Sequence, residues 1–445
     1  MKRIHFIGIG GIGMSALAEI ALNLSFSVSG SDLVENKITN RLKALGAKIY
    51  RGHSPINIEK SDTIVVSSAI PEDNPEILEA KKRGLNILKR GRFLAFLMEK
   101  MYGIAVVGAH GKTTTTGLIG AILNKASFSP TVINGGIAKE SGSNAKLGAS
   151  KYLICEADES DGSFLHLSPR ISVVTNMDRE HMEYFKNIGR MKREYLGFIE
   201  KADFAVLCSD NRLIREIIPS LKTKYKTYGI KQGEIRARNI NILKDHTEFE
   251  VIDGNKTKGR WKVPLLGRHN VLNSLAALCV GEYLSIPIET IKSALETFSG
   301  IERRLDIKRN DEIMVLEDYG HHPTEIKETL KAAKLGWKRR LVVIFQPHRY
   351  TRTKDLLNKF AGCFRLADIL ILTDIYPASE KPIPNITGEL LYSKINHPNS
   401  YYVSDWTKIP EFLKTIVKKG DIVLVLGAGD INKIIEPLSM LSDIP

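Results

Sequence analysis

Short apolar runs rich in Val and Ile alternate with segments of helical period from the first residues onward. The pattern predicts a strand over 4–8, a helix from about 12, a strand over 27–30, a helix over 37–45 and a strand over 63–67. Such alternation implies a parallel sheet covered by helices. A helical stretch over 92–100 closes this segment, and Tyr102-Gly103 opens a second. There a strand over 104–107 runs into a glycine turn, with further strands expected at 152–156, 171–175 and 205–208. A polar, hairpin-like stretch fills 235–263, and helices follow over 270–283 and 289–298. A third segment begins near Gly300, with strands at 313–317, 341–345, 369–373 and 422–426 and helices between them. The expectation is an α/β chain of three domains, 1–101, 102–299 and 300–445.

Composition narrows the classes. With 43% hydrophobic and 26% charged residues in 445, the chain is ordinarily globular and wholesale disorder is excluded. The net charge of +14 suits anionic partners but does not separate a nucleic acid from a small phosphorylated ligand. Aromatics are 7% and no cluster interleaves them with Arg or Lys, so no nucleic-acid partner is expected. No uncharged run reaches the ~18 residues of a membrane span. Met1-Lys2-Arg3 and the uncharged run behind it imitate a signal peptide, but Gly8, Gly10, Gly11 and Gly13 would weaken its helix. A strand entering a glycine loop explains them better, giving a cytoplasmic expectation without membrane insertion. Cys155, Cys208, Cys279 and Cys363 are widely spaced and form no C-x-x-C, which fits a reducing compartment.

Five constellations carry chemistry. Gly8-Ile9-Gly10-Gly11-Ile12-Gly13 follows a strand with G-x-G-x-x-G spacing, and Asp32 stands about 20 residues on. Such a loop lets a diphosphate approach a helix N-terminus; read alone it favours a dinucleotide dehydrogenase. Gly108-Ala109-His110-Gly111-Lys112-Thr113-Thr114 resembles a P-loop, although Val106 stands where the first glycine is usual. Its backbone amides would curl around phosphate oxygens, Lys112 would neutralise charge and a hydroxyl would meet Mg2+. Two phosphate loops in two domains suit an enzyme that couples ATP to a diphosphate-bearing substrate.

The third is the acidic run Glu156-Ala157-Asp158-Glu159-Ser160-Asp161 at a strand end, with Thr175-Asn176-Met177-Asp178-Arg179-Glu180-His181 beyond it. Glu156 occupies the place of a metal-binding acid, and His181 would ligate a second metal or simply hydrogen-bond within a loop. In the fourth, helical period brings His269, Asn270 and Asn273 together at a helix start. An Asn amide there would pair with adenine or cap the helix. The fifth combines Arg303-Arg304, Asp318-Tyr319-Gly320-His321-His322-Pro323 and Gln346-Pro347-His348-Arg349-Tyr350-Thr351-Arg352. Arg349 and Arg352 at a strand end suit a carboxylate; His321 and His322 would bind zinc or shape a turn.

GAHGKTTTT, EADESDGSFLHL, GRHNVLN, EDYGHHPTE and FQPHRYTRT occur in one order over nearly the whole chain, and with them the sequence resembles the Mur ligase family. The resemblance implies an N-terminal Rossmann-like domain, a central P-loop ATPase-like domain and a C-terminal Rossmann-like domain that closes on the active site. It implies an ATP-dependent amide ligase joining L-alanine to the carboxylate of UDP-N-acetylmuramate through an acyl phosphate, in peptidoglycan precursor synthesis. A tripeptide-adding relative is disfavoured by the FQPHRYTRT block.

By resemblance, Gly108, Ala109, His110, Gly111, Lys112, Thr113 and Thr114 hold the ATP phosphates, and His269, Asn270 and Asn273 contact its nucleoside. Thr113 and Glu156 match ligands of a first Mg2+, and His181 matches a ligand of a second. Arg304 and Asp318 match residues that reach ATP. His348, Arg349 and Arg352 match those that place the alanine carboxylate. Gly8, Gly10, Gly11, Gly13, Met14 and Ser15 match the uridine-diphosphate loop, with Ser67 and Ser68 lining its pocket. Some relatives support the second metal with a carbamylated lysine; Lys192 and Asp32 receive no role. The quaternary expectation is a monomer or homodimer.

Overall fold

The apolar runs of the first segment become parallel strands because helices cover them on both faces. In the computed structural model, which describes residues 2–67, 69–378 and 380–441, these strands are β1 (Arg3–Ile7), β2 (Ser27–Asp32), β3 (Lys48–Arg51), β4 (Thr63–Val66) and β5 (Asn86–Lys89). Their order is β3-β2-β1-β4-β5, parallel throughout. Between them lie α1 (Ile12–Asn23), α2 (Lys37–Ala44) and α3 (Pro75–Lys82), and α4 (Arg90–Glu99) follows β5. Asn36 and Thr39 close a reciprocal cap at the start of α2.

The central sheet contains ten strands: β6 (Tyr102–Val107), β7 (Thr131–Ala138), β8 (Ser143–Lys146), β9 (Tyr152–Glu156), β10 (Ile171–Val174), β11 (Phe204–Cys208), β12 (Lys224–Gly229), β13 (Ile235–Ile242), β14 (Thr247–Asp253) and β15 (Lys256–Val263). Their order is β15-β14-β13-β12-β11-β10-β6-β9-β7-β8. β6 lies between β10 and β9, parallel to both, so the turn after it, which leads into α5 (Lys112–Lys125), opens at the C-terminal edge of the parallel strands. Open α/β sheets place ligands at that edge. The stretch read as hairpin-like is the three strands β13, β14 and β15.

The C-terminal sheet is β16 (Asp306–Asn310), β17 (Met314–Asp318), β18 (Leu341–Phe345), β19 (Ile369–Leu372), β20 (Ser400–Tyr402) and β21 (Ile422–Leu426), in the order β16-β17-β21-β18-β19-β20. Only β16 is antiparallel to its neighbour. Strand alternation divides its core: Val315, Val342, Ile344, Val423 and Val425 face one layer, and Leu316, Val343, Phe345, Leu424 and Leu426 the other.

Three sheets thus give three α/β domains. The chain forms two compact units, one of 1–238, 251–259 and 272–299, the other of 239–250, 260–271 and 300–445. The first two sheets share a unit because their domains touch closely. α1 packs on β7 and β8, and a Cβ on Gly91 would stand 2.5 Å from that of Ser163. All four cysteines are free and buried. Among the described residues, no helix is long and apolar enough to cross a membrane.

Candidate functional site: two phosphate loops and an acidic cluster

The N-terminal glycine loop commits most of its amides to the fold. Gly8 and Ile9 donate to the Ser31 carbonyl at 2.8 and 3.1 Å, Gly10 to Asp32 Oδ2 at 2.8 Å and Gly11 to the Gly8 carbonyl at 3.2 Å. Asp32 is therefore the clasp of this loop. Gly8 has φ +80 and lies against Ile70 and Ser67, so Ser67 borders the loop. Ser68 lies outside the described residues. Met14 and Ser15 are buried in the first turn of α1. Gly13, in the first turn of α1, is half-buried, and a Cβ there would stand 2.8 Å from Arg90 Nη1. Arg90, which sequence reasoning missed, also donates to Asp158 Oδ2 at 3.1 Å.

The second loop is held from three sides. Gly108 has φ +139, and a Cβ there would stand 2.3 Å from Thr175 Oγ1. Asn176 accepts from the His110 amide at 2.9 Å and donates to its carbonyl at 2.8 Å, while the Thr175 hydroxyl donates to the same carbonyl at 2.7 Å. Gly111 caps α5 at φ +79, where a Cβ would meet Asn273 Oδ1 at 2.5 Å. Asn273 Oδ1 also accepts from Thr115 at 3.2 Å, so this member of the expected nucleotide-contacting trio braces the loop. Only glycine tolerates these two close approaches at positive φ.

Lys112 donates to the Gly108 carbonyl at 2.6 Å and to Glu159 Oε1 at 2.9 Å. Burial opposes its charge, but the Glu159 and Glu156 carboxylates outweigh burial and hold the ammonium above its ordinary range. Burial in turn pushes the Glu159 carboxyl up. Thr113 donates to Glu156 Oε2 at 2.8 Å, and the Gly135 amide to the same oxygen at 2.9 Å. The hydroxyl and carboxylate expected at a first cation are thus together. His181, at φ +54, heads the helix Met182–Phe185, with Nε2 3.8 Å from Glu159 Oε1. One ligand atom each of Glu159, Glu180 and His181 lies within 4.8 Å of the others. Glu159 Oε2 is buried without a hydrogen-bond partner among the described residues. A bare buried carboxylate oxygen in this donor set fits a divalent cation. Glu159 and Glu180 sit in the acidic runs quoted above, but no spacing singled them out. Lys192 pairs with Glu216.

The other expected residues belong to the second unit or to its border. The helix Arg268–Tyr283 begins at Arg268, so Asn270 is inside it rather than capping it, and its amide donates to the Leu266 carbonyl at 2.8 Å. His269 lies over Gly267, whose Cβ would meet its ring at 2.7 Å. Asp318 accepts from the Leu305 and Gly320 amides at 2.9 and 2.7 Å, and burial pushes its carboxyl up. Arg304 lies over the Tyr319 ring, with Nη1 3.8 Å from Glu325 Oε1. His322 caps the helix Pro323–Trp337, as the turn reading of that residue has it.

His348 stacks on Tyr376 with ring centroids 5.6 Å apart, and Arg352 donates to its Nδ1 at 3.1 Å. Burial, aided by His321, Arg352 and Arg349, lowers the His348 pKa to about 3, so the ring is neutral at pH 7. Arg349 holds φ +70, and its buried Nε has no hydrogen-bond partner among the described residues. A cation held at positive φ, with a buried donor, has the chemistry to bind a small carboxylate.

Comparison with known proteins agrees along the whole chain. Residues 3–102 match the Mur ligase family catalytic domain, 106–281 the Mur ligase middle domain and 303–429 the Mur ligase glutamate ligase domain. The UDP-N-acetylmuramate–L-alanine ligase of Geotalea daltonii is 48% identical over 439 residues, covering 97% of this chain and 96% of that protein. The ligase of the same name from Dictyoglomus turgidum is 47% identical over 447 residues, covering 98% and 96%. The crystal structure of the UDP-N-acetylmuramate-alanine ligase of Thermotoga maritima superposes with a TM-score of 0.84 at 29% identity, covering 98% of each chain. A murein peptide ligase from Psychrobacter arcticus shares the fold, with a TM-score of 0.72 at 23% identity over the full length of both. With three family models over successive parts of the chain and 48% identity over nearly all of it, the chain belongs to the Mur ligase family.

Proposed function

We propose that this chain is an ATP-dependent ligase that joins L-alanine to the carboxylate of UDP-N-acetylmuramate in peptidoglycan precursor synthesis. The observation that carries this reading is the pair of phosphate loops in adjoining domains of one chain, alongside full-length similarity to ligases of that name. The domains divide at 101/102 and 299/300. The enzyme works in the cytoplasm as a monomer or homodimer.

A carboxylate resists nucleophiles because its charge is delocalised and its leaving group is oxide. Transfer of the γ-phosphoryl of ATP to the muramoyl carboxylate releases ADP and leaves an acyl phosphate. The amine of L-alanine, after losing its proton, adds to that carbonyl; the tetrahedral intermediate expels phosphate and leaves the amide. The residues act by positioning and neutralisation. The 108–114 turn cradles the phosphates with Lys112 on the β/γ oxygens. Thr113 and Glu156 would hold one Mg2+ and His181 another; such ions supply charge neutralisation on the transferring group. Gly8, Gly10, Gly11, Gly13, Met14, Ser15 and Ser67 frame the uridine diphosphate, and Ser68 is assigned to it by resemblance alone. His348, Arg349 and Arg352 take the amino-acid carboxylate, while His269, Asn270, Arg304 and Asp318 are assigned to ATP by resemblance.

The test is phosphate release from ATP by the purified chain. Release that requires both UDP-N-acetylmuramate and L-alanine is expected. Release that ignores either substrate, or requires a tripeptide in place of alanine, defeats the assignment.

A further inference from the structure

Glu159 is the carboxylate to which the reaction above gives no task. It is 2% exposed, with Oε1 on Lys112 and Oε2 without a hydrogen-bond partner. His181 Nε2 lies 3.8 Å from that same Oε1, and Glu159, Glu180 and His181 each bring one ligand atom within 4.8 Å of the others. Lys112 thus places a positive charge within a small acidic cluster. If phosphate oxygens draw that ammonium toward the turn, two carboxylates and an imidazole are left facing one another. Buried like charges at that spacing repel strongly unless a cation replaces the one that left.

We propose that Glu159 changes partners during the cycle: without nucleotide it retains Lys112, and with nucleotide bound it joins Glu180 and His181 around a divalent cation. The proposal rests on the ATP reading of the 108–114 turn. It makes loading of the second cation depend on nucleotide, because Lys112 and the cation compete for one carboxylate. It also gives Glu159 opposite effects on two ligands, which a merely structural residue would not have.

Mn2+ serves as the probe, counted by electron paramagnetic resonance on the full chain with and without the β,γ-imido analogue of ATP. The wild type should bind two Mn2+ with the analogue present. Glu159→Gln and Glu180→Gln should each weaken the second Mn2+ at least ~10-fold, the order expected for loss of one charged ligand. Glu159→Gln should also tighten metal-free analogue binding, measured by calorimetry in chelator, because Lys112 is no longer retained. Wild-type affinity for both Mn2+ in Glu159→Gln, or weaker metal-free analogue binding with an unchanged melting temperature, overturns the proposal. If Glu159→Gln does not fold, wild-type Mn2+ binding by Glu180→Gln overturns it. A wild type that binds no analogue defeats the ATP reading itself, and the proposal with it.

Discussion

Arg90 and Asp158 form an ion pair at 3.1 Å between the start of α4 and the acidic run after β9, while the same guanidinium overlies Gly13 at the head of α1. One side chain therefore touches both the glycine loop and the loop that carries Glu156 and Glu159. Because the loop amides of Gly8, Ile9, Gly10 and Gly11 are already committed, Arg90 is a cation that the proposed diphosphate would meet beside Gly13.

Arg90→Gln should weaken UDP-N-acetylmuramate binding roughly tenfold or more, since a charge-assisted hydrogen bond contributes about 1.5–3 kcal/mol. Calorimetric titration with the sugar nucleotide reads this directly. An unchanged affinity would confine Arg90 to joining the domains.

Gly111→Ala should disable the second loop and lower stability. A side chain at φ +79 costs about 1–2 kcal/mol, and its Cβ would collide with Asn273, which braces Thr115. Urea unfolding and ATP-analogue titration should both show the defect; a variant that binds the analogue normally would remove the Asn273 contact from the loop's design.

The first domain should lose stability in acid through Glu76. This residue is fully buried and accepts hydrogen bonds from Ser31 at 2.5 Å and Asn57 at 2.6 Å, with His5 Nε2 at 3.6 Å and His53 Nδ1 at 3.3 Å. Burial pushes its carboxyl up, but His5, Ser31 and Asn57 outweigh burial and bring it down to about 2 from an ordinary 4.5. A depressed carboxyl stabilises the fold above its unfolded pKa, and that contribution fades as pH falls from about 4.5 toward 2. The depression corresponds to roughly 3 kcal/mol. Urea midpoints measured from pH 6 to 3 should fall less steeply for Glu76→Gln than for the wild type; parallel slopes would count against this.

Arg352→Ala should raise the KM for L-alanine about tenfold or more with a smaller change in kcat, because the guanidinium proposed for the alanine carboxylate takes no part in making or breaking bonds. Initial rates at saturating ATP and sugar nucleotide measure it. A normal KM would take Arg352 out of the amino-acid site.

The strands legible in the sequence were those buried on both faces: Tyr152–Glu156, Leu341–Phe345 and Ile422–Leu426 coincide with their apolar runs. Most of those overlooked lie at sheet edges, whereas Thr131–Ala138 and Lys224–Gly229 are interior strands whose polar residues and glycines hide them. Lys48–Arg51 and Asn86–Lys89 flank the first sheet and carry charge on half-exposed backbone, and Ser143–Lys146 borders the second. An edge position favours polar residues that blunt further pairing, and this erases the apolar signal. Both glycine loops were legible because their spacing is local. Glu159, Glu180 and Arg90 were not, because their neighbours arrive from distant points of the chain: Glu159 faces His181 only once β9 and β10 flank β6.

Burial pushes the Cys155 thiol up to about 12 and the Cys208 thiol up to about 11, and raises Cys279 and Cys363 further. Thiolate is the species that alkylating reagents attack, so the folded protein is nearly inert to them. A cysteine engineered onto an exposed loop can therefore carry a fluorophore without prior removal of the native four. Modification of any of those four would in turn record that its domain had opened.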